Sequence, residues 1–429
     1  MDRLKDFRQK TATSVRSWLL LRNTDFFKMW SAETFSVFGV QFSGLAIPWI
    51  AAITLKVSSI EMGVLAALGT VPFLLFGLFV GVYADRNRRR PIMIMSDIAR
   101  ALSLAFIPVT VLLMGPSLMV LYAVAFSVGT FTVFDDISSY AYLPSLIGTE
   151  DLMEANSAIQ TSTASAMVAG PGVAGIMIQL LTAPFAVLLD VAGYVGSAAS
   201  LSRIRKAEPL AKRKQETSVI KEMKEGLAVV FSNRNLWSIA GATGTANFFS
   251  NGIFALLVLF ATRELGIESP FLLGIILTLS GLGAVFCAPL ASRAAGRLGV
   301  GRTIVLSNFV GGVGFIAIYF AHSWLVIPLL ILAGFVGSAG GVIYNINQLS
   351  FRQAVVPKEL QGRLNATMRF LVWGTVPVGA LVGGILGGIL GLRTTIGVCA
   401  VGMSLAFFWV LLSPVRKITK MPQQSPETP

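Results

Sequence analysis

Charge is what this chain has least of. Only 13% of its 429 residues are Asp, Glu, Lys or Arg, while 54% are hydrophobic, and mean hydropathy is +0.74. No water-soluble globular chain of this length shows that balance. Histidine is almost missing: the single His322 falls in a short predicted loop. The two cysteines, Cys287 and Cys399, both lie within apolar runs, which leaves no disulfide framework and no metal-ligand spacing. No Ser/His/Asp set is evident, so a polytopic membrane enzyme is a remote alternative. Gly281-x-Gly283 and Gly311-Gly312-Val313-Gly314 follow no strand and precede no polar loop, so nucleotide binding is unsupported. With no phosphate loop or nucleotide domain, an ATP-driven pump is excluded for this chain alone. Residues 1–24 are polar and basic with no apolar core of their own, so no cleavable signal is expected.

What is present is a succession of long apolar runs. A span needs roughly 20 apolar residues to cross a ~30 Å hydrocarbon core. Twelve runs meet that length, at about 29–55, 60–84, 92–114, 117–142, 155–182, 184–204, 236–262, 271–292, 303–321, 324–350, 362–390 and 393–414. This predicts an all-α membrane protein. The net charge of +13 and pI near 10 could suggest nucleic acid, but placement decides otherwise. Of the 34 Lys and Arg, 29 fall on alternate connections: 1–28, 85–91, 203–234, 293–302, 351–363 and 415–429. That segregation is the positive-inside pattern and predicts both termini in the cytoplasm. The opposite loops hold Lys56, Arg263 and Arg393, and two cations, Arg100 and Arg369, fall inside spans.

The halves echo each other at an offset of about 207 residues. Asp85-Arg86 answers to Ser292-Arg293, Thr149-Glu150-Asp151-Leu152 to Pro357-Lys358-Glu359-Leu360, and Gly170-Pro171 to Val376-Pro377. Repeated six-span halves are the architecture of secondary transporters that rock around a midplane site. The expected organisation is a cytoplasmic segment 1–28, a six-helix bundle 29–204, a linker 205–234, a second bundle 235–414 and a tail 415–429. The linker carries a basic cluster (Arg205, Lys206, Lys212, Arg213, Lys214) and an amphipathic stretch, Val219 to Phe231, expected to lie on the membrane interface.

Charges inside a bilayer are costly and are functional candidates by default. Here they are Glu33, Asp97, Arg100, Asp135, Asp136, Asp190 and Arg369. At ~1.5 Å per residue, Glu33, Asp97 and the Asp135/Asp136 pair lie roughly 7 to 12 Å in from the basic side, and Arg369 about 10 Å in from the same side of the other half. Asp97 and Arg100, three apart, can pair on one helix face. Asp135 and Asp136 point about 100° apart, so at most one faces a central cavity squarely. Glu33 has no helical partner at i+3 or i+4, and its carboxylate is either a proton site or satisfied by Ser/Thr hydroxyls. Asp190 reads as a structural hydrogen-bonding group. A carboxylate in low dielectric can load and release protons near neutrality. With no histidine in any span, carboxylates are the proton carriers to consider, and an Arg369 bridge to an amino-terminal acid is expected in one conformation. Aromatic and amide side chains at Phe38, Phe42, Trp49, Asn247, Phe248, Asn345, Asn347 and Trp373 are cavity candidates, although aromatics at helical spacing more often build core. The Gly379/Gly383/Gly387/Gly391 ladder reads as helix packing.

Three sets of residues carry a resemblance. Gly81-Val82-Tyr83-Ala84-Asp85-Arg86-Asn87-Arg88-Arg89-Arg90 resembles the Gly-x-x-x-Asp-Arg loop between helices 2 and 3 of the major facilitator superfamily. Its glycine before the last basic residues is replaced by Asn87-Arg88. Gly170-Pro171 with Gly175 in span 5 is similar to the superfamily's antiporter signature, where proline kinks or stiffens a helix and glycines admit close packing. Phe134-Asp135 through Leu146, Glu154-Ala155-Asn156-Ser157, Asp190, Asn345-x-Asn347-Gln348, Arg352-Gln353 and Gly362-Arg363 look like bacterial twelve-span exporters of the macrolide and siderophore type. Many members carry an acid directly after the span-1 glycine; Val40 stands there here, leaving Glu33 as the substitute. The resemblance implies drug:proton antiport in the inner membrane by a monomer. The implied partners are a small organic substrate, protons and the lipid bilayer, with a proton gradient in place of a cofactor and no nucleic acid. It also implies that Asp85, Arg86, Arg89 and Arg90 gate the cytoplasmic end, with Asp85 meeting the start of span 11 when that end is shut. A facilitator for a small metabolite is the alternative within transport.

Overall fold

Each apolar run folds into a helix, because a backbone in hydrocarbon must satisfy its own polar groups. The computed structural model describes residues 19–419 apart from 149, 209–226, 229, 323–324 and 357. Among these, twelve helices are long and apolar enough to cross a membrane. In the first half they are α1 (Thr24–Trp49, prolonged by a π-turn at Ile50–Thr54), α2 (Ser59–Arg86), α3 (Arg89–Leu113), α4 (Leu118–Ile147), α5 (Leu152–Leu181) and α6 (Ala183–Ser202). In the second they are α7 (Arg234–Arg263), α8 (Pro270–Cys287), α9 (Val300–Tyr319), α10 (Val326–Val355), α11 (Lys358–Trp373 then Thr375–Leu390) and α12 (Leu392–Leu405 then Phe407–Leu411).

Helix starts follow capping chemistry. Asn23 accepts from Asp25 and Phe26 at α1, Asn233 does the same for α7, and Ser58 with Glu61 forms a capping box at α2. Large apolar side chains such as Leu102, Leu112 and Leu113 point outward and are about 70–79% exposed, a belt that only lipid accommodates without cost.

Several ends differ from the expected boundaries: the first helix starts at Thr24 and the fourth runs to Ile147, each five residues beyond expectation, and two further shifts relocate named residues. The eighth span stops at Cys287 and not at 292, because Pro289 lacks the N–H to continue it; a separate short helix, Leu290–Leu298, holds Ser292-Arg293. The tenth span runs to Val355, five residues past expectation, which draws Arg352 inside it. Residues 1–18, 209–226 and 420–429, with the linker's Lys212, Arg213 and Lys214 and most of its amphipathic stretch, lie outside the described residues.

The buried apolar side chains say how the halves meet. At the end away from the basic loops, one continuous core joins α1–α8 to α9, α10 and α12, from Trp49 and Ile178 to Phe260 and Ile396. At the basic end there are two separate cores. One lies wholly within the first half around Phe26, Met93 and Tyr142, the other within the second around Tyr344, Phe351 and Val415. The molecule is sealed at the far end and parted at the basic end.

Candidate functional site

Polar side chains concentrate where the cores part. In the first half, Arg100 on α3 is 2% exposed and holds two carboxylates: Asp97 at 2.6 Å and Asp135 of α4 at 2.8 Å. Its guanidinium also lies over the Tyr194 ring of α6, 4.3 Å from the centroid. The expected Asp97–Arg100 pair is therefore a triad of one guanidinium and two carboxyl groups. Removing the cation from such a buried cluster costs about 3–5 kcal/mol, because an uncompensated charge is left in low dielectric. Asp190 on α6 accepts from Ser43 of α1, while its other oxygen has no partner. Gly39 and Gly193 permit that approach: a Cβ at Gly39 would sit 2.6 Å from Asp190.

The remaining acids face the space between the halves. Glu33, half-buried on α1, accepts from Ser139 of α4. Asp136, one residue on from Asp135, turns to the other half and pairs with Arg369 of α11 at 3.3 Å. Both side chains of that pair remain about a third exposed (36% and 35%), so it contributes only about 0–1 kcal/mol. Arg369 sits among aromatic faces, 5.6 Å from Phe73, 5.7 Å from Tyr140 and 5.5 Å from Trp373. The adjacent acids thus divide: one fixes the interior of its own half, the other reaches across.

Beside Arg369 lies a cavity of about 490 Å³ walled by α7, α9, α10, α11 and α12, within the size range of organic-ligand sites. Asn247, Asn345 and Trp373 line it, together with Asn308, Gln348 and Met403. Other cavity candidates do not. Trp49 is 7% exposed and Phe42 packs against the same core. Asn347 is 3% exposed and donates to the carbonyls of Ile343 and Ala291. Phe248 packs edge-on against Phe249, and neither it nor Phe38 belongs to the cavity wall. Alternate positions on a helix point to different neighbours, and helical spacing alone did not separate them.

Sequence reading missed two residues. Arg352 was assigned to a loop, but it is 9% exposed, lines the cavity and donates to Gln348 one turn earlier at 3.3 Å. The absence of any breaker between Gly341 and Pro357 was the available signal. Glu208 of the linker accepts from the backbone N–H groups of Arg89 and Arg90 at 2.9 and 3.1 Å. It is a carboxylate on the amino terminus of α3, and nothing in the local pattern marks it.

A family model described as transmembrane secretion effector matches residues 15–428. The chain belongs to that family, within the major facilitator superfamily. The chain is 26% identical over 364 residues to "Multidrug efflux pump Tap" of Mycolicibacterium fortuitum, covering 82% of this chain and 86% of that one. It is 25% identical to "Macrolide efflux protein A" of Streptococcus pyogenes over 217 residues, half of this chain and 53% of the other. Among solved structures, a bacterial homologue of the iron transporter ferroportin in an inward-facing state has a TM-score of 0.74 at 14% identity, covering 92% of this chain and 98% of that one. The nucleoside transporter NupG has a TM-score of 0.69 at 15% identity, with 91% and 98% covered. The solved structures establish the fold, and membership of the family makes the chain a transporter rather than an enzyme.

Within this major facilitator chain, the two motifs serve opposite ends. The span-5 motif forms the far-end seam. Gly172 N–H donates to Thr278 of α8 at 2.9 Å, and a Cβ on Gly175 would meet the Pro270 carbonyl at 2.4 Å. Gly170 makes room for Gln41 of α1. A second seam joins α2 to α11, where Cβ atoms on Gly63 or Gly384 would lie 2.7–2.8 Å from the other's Cα. Gly379 and Gly383 admit Phe248 and Gly252 of α7, while Gly391 has positive φ at a helix start. At the basic end the gating motif divides: Asp85 is 79% exposed with Arg89 at 3.7 Å and Gly81 has open space around it, whereas the backbone N–H groups of Arg89 and Arg90 are held by Glu208. Arg90 caps α6, donating to the carbonyls of Leu201 and Ser202.

Proposed function

We propose that the chain exports an amphipathic organic compound of drug, antibiotic or siderophore-like type, driven by protons entering from outside. It works as a monomer whose halves rock about the cavity, and both termini and the basic loops face the cytoplasm. The observation that carries this reading is the Asp136–Arg369 bridge at 3.3 Å. It joins an acid-bearing half to a cavity-bearing half at the parted end. In that orientation the conformer is open to the cytoplasm, where an exporter must load. Glu33 is the proton site: it faces the gap, its one hydrogen-bond partner among the described residues is the Ser139 hydroxyl, and it stands beside the bridge. The triad around Arg100 holds the first half together while the halves move. The named efflux pumps among the relatives support the direction of transport.

The test is reconstitution in proteoliposomes with an imposed pH gradient, recording which added compounds dissipate it. Compounds that do so in the wild-type protein and not in Glu33→Gln support proton-coupled export. Transport that proceeds at the same rate with and without the gradient would make the chain a facilitator.

A further inference from the structure

Among the described residues of the cavity wall, the charged side chains are of one sign. Two arginines line it, Arg352 and Arg369, and among the described lining residues there is no aspartate or glutamate. Neutral amides surround them: Asn247, Asn308, Asn345 and Gln348 line the cavity, each with both donor and acceptor capacity. Trp373, Met368 and Met403 supply an apolar surface beside the arginines. A cationic amphiphile entering this space would meet like charge in a partly desolvated site, whereas an anion would meet a matched one.

Arg369 already holds an anion. That anion is Asp136, supplied by the opposite half through a single contact at 3.3 Å, with about a third of each side chain exposed. Guanidinium binds carboxylate or phosphate groups through paired N–H donors, and a one-point contact leaves much of that capacity unused. From this geometry we infer that the cavity selects amphipathic organic anions, whose acidic group displaces Asp136 from Arg369 while the apolar body lies against Trp373 and the methionines. The inference rests on the proposed reading of this cavity as the substrate site, and it adds the charge class. Asp136 is then an internal stand-in for the substrate, and removing its charge should free the site.

The test is equilibrium binding to the full chain in lipid nanodiscs, with no gradient, so it is independent of whether transport is proton-coupled. Three probes share one fluorophore: dansylglycine (anionic), dansylglycinamide (neutral) and dansylcadaverine (cationic). Dansylglycine should bind about tenfold more tightly than the neutral amide, the scale of one charge-assisted pair, and the cationic probe most weakly. Asp136→Asn should tighten dansylglycine several-fold and leave the amide unchanged. Arg369→Gln, or Arg369→Gln with Asp136→Asn if the single variant is unstable, should abolish the preference for the anion. Inorganic phosphate should compete poorly if the apolar wall contributes; competition as strong as dansylglycine's would assign the site to small anions and overturn the amphipathic part. Preference for dansylcadaverine, no binding of any probe, or an Asp136→Asn variant with unchanged dansylglycine affinity would overturn the proposal.

Discussion

Glycine at position 175 should act as a switch on which end of the molecule is open. In this conformer α5 and α8 touch backbone to backbone: an added Cβ at Gly175 would lie 2.4 Å from the Pro270 carbonyl oxygen and 3.1 Å from the Gly274 Cα. Neither contact can be relieved by a side-chain rotation, because both partners are main chain. Overpacking of this kind costs about 1–3 kcal/mol. The clash exists only while the far ends are together, so the cost falls on this conformer and not on one that opens there. Gly175→Ala should therefore favour the far-end-open state by roughly 5–150-fold. Gly81 offers the opposite case, since nothing lies within 4 Å of its Cβ position here. Gly81→Ala should leave this conformer intact and, if the basic end closes over that surface, increase its share. The assay is a spin-label distance between exposed Arg88 and Arg297, on the two basic-end connections. The distance should shorten in Gly175→Ala and not in Gly81→Ala. Indistinguishable distributions for wild type and Gly175→Ala would refute the reasoning, because the seam would then not be part of the rocking equilibrium.

Three other outcomes follow from the site. Arg100→Gln leaves Asp97 and Asp135, 0% and 7% exposed, without their cation; the thermal midpoint in detergent should drop by the equivalent of about 3–5 kcal/mol. Adding Asp97→Asn and Asp135→Asn should recover much of it, and an unchanged midpoint in the single variant would mean that water reaches the triad. Glu33→Gln should weaken proton-driven efflux more than substrate binding; wild-type efflux with wild-type gradient dependence would move the proton pathway away from Glu33. Asp85→Asn removes one exposed contact at 3.7 Å, so stability should be unchanged while turnover slows and the basic-end-open population grows. Unaltered turnover together with an unaltered Arg88–Arg297 distance would leave the hinge acid without a gating role.

The fold was legible because hydrocarbon imposes a length and a polarity on each helix, and both can be counted along the chain. Ends were less so where a single residue decides them: Pro289 stops α8 early, and the lack of a breaker before Pro357 carries α10 onward. Embedded charges other than Arg352 were readable as a set, since each is rare against its surroundings, and depth alone placed Arg369 level with the amino-terminal acids. Which acid it meets was not readable, because that depends on the azimuth of Asp136 relative to Asp135. Cavity residues were the least legible. Asn345 and Asn347 are two apart on α10, yet one lines the cavity and the other is bonded to carbonyls behind it.

The distribution of these charges gives the two halves different electrostatic character. The first half embeds Glu33, Asp97, Asp135, Asp136 and Asp190 with Arg100, whereas in the second Arg352 and Arg369 are embedded, with no acid among the described residues of the cavity wall. Opposite charges facing across a partly wet gap attract, and that attraction opposes wider separation of the parted ends. A proton on an amino-terminal acid or an anion on a carboxy-terminal arginine each reduces it, from opposite sides of the same bridge. A contact worth little on its own, at 3.3 Å and a third exposed, is suited to that part because it can be broken by either ligand. Coupling between proton and substrate is therefore to be sought at Asp136–Arg369, by a double-mutant cycle on transport and on binding. The buried triad is too costly to break in each turnover, and the glycine seams carry no charge for either ligand to act on.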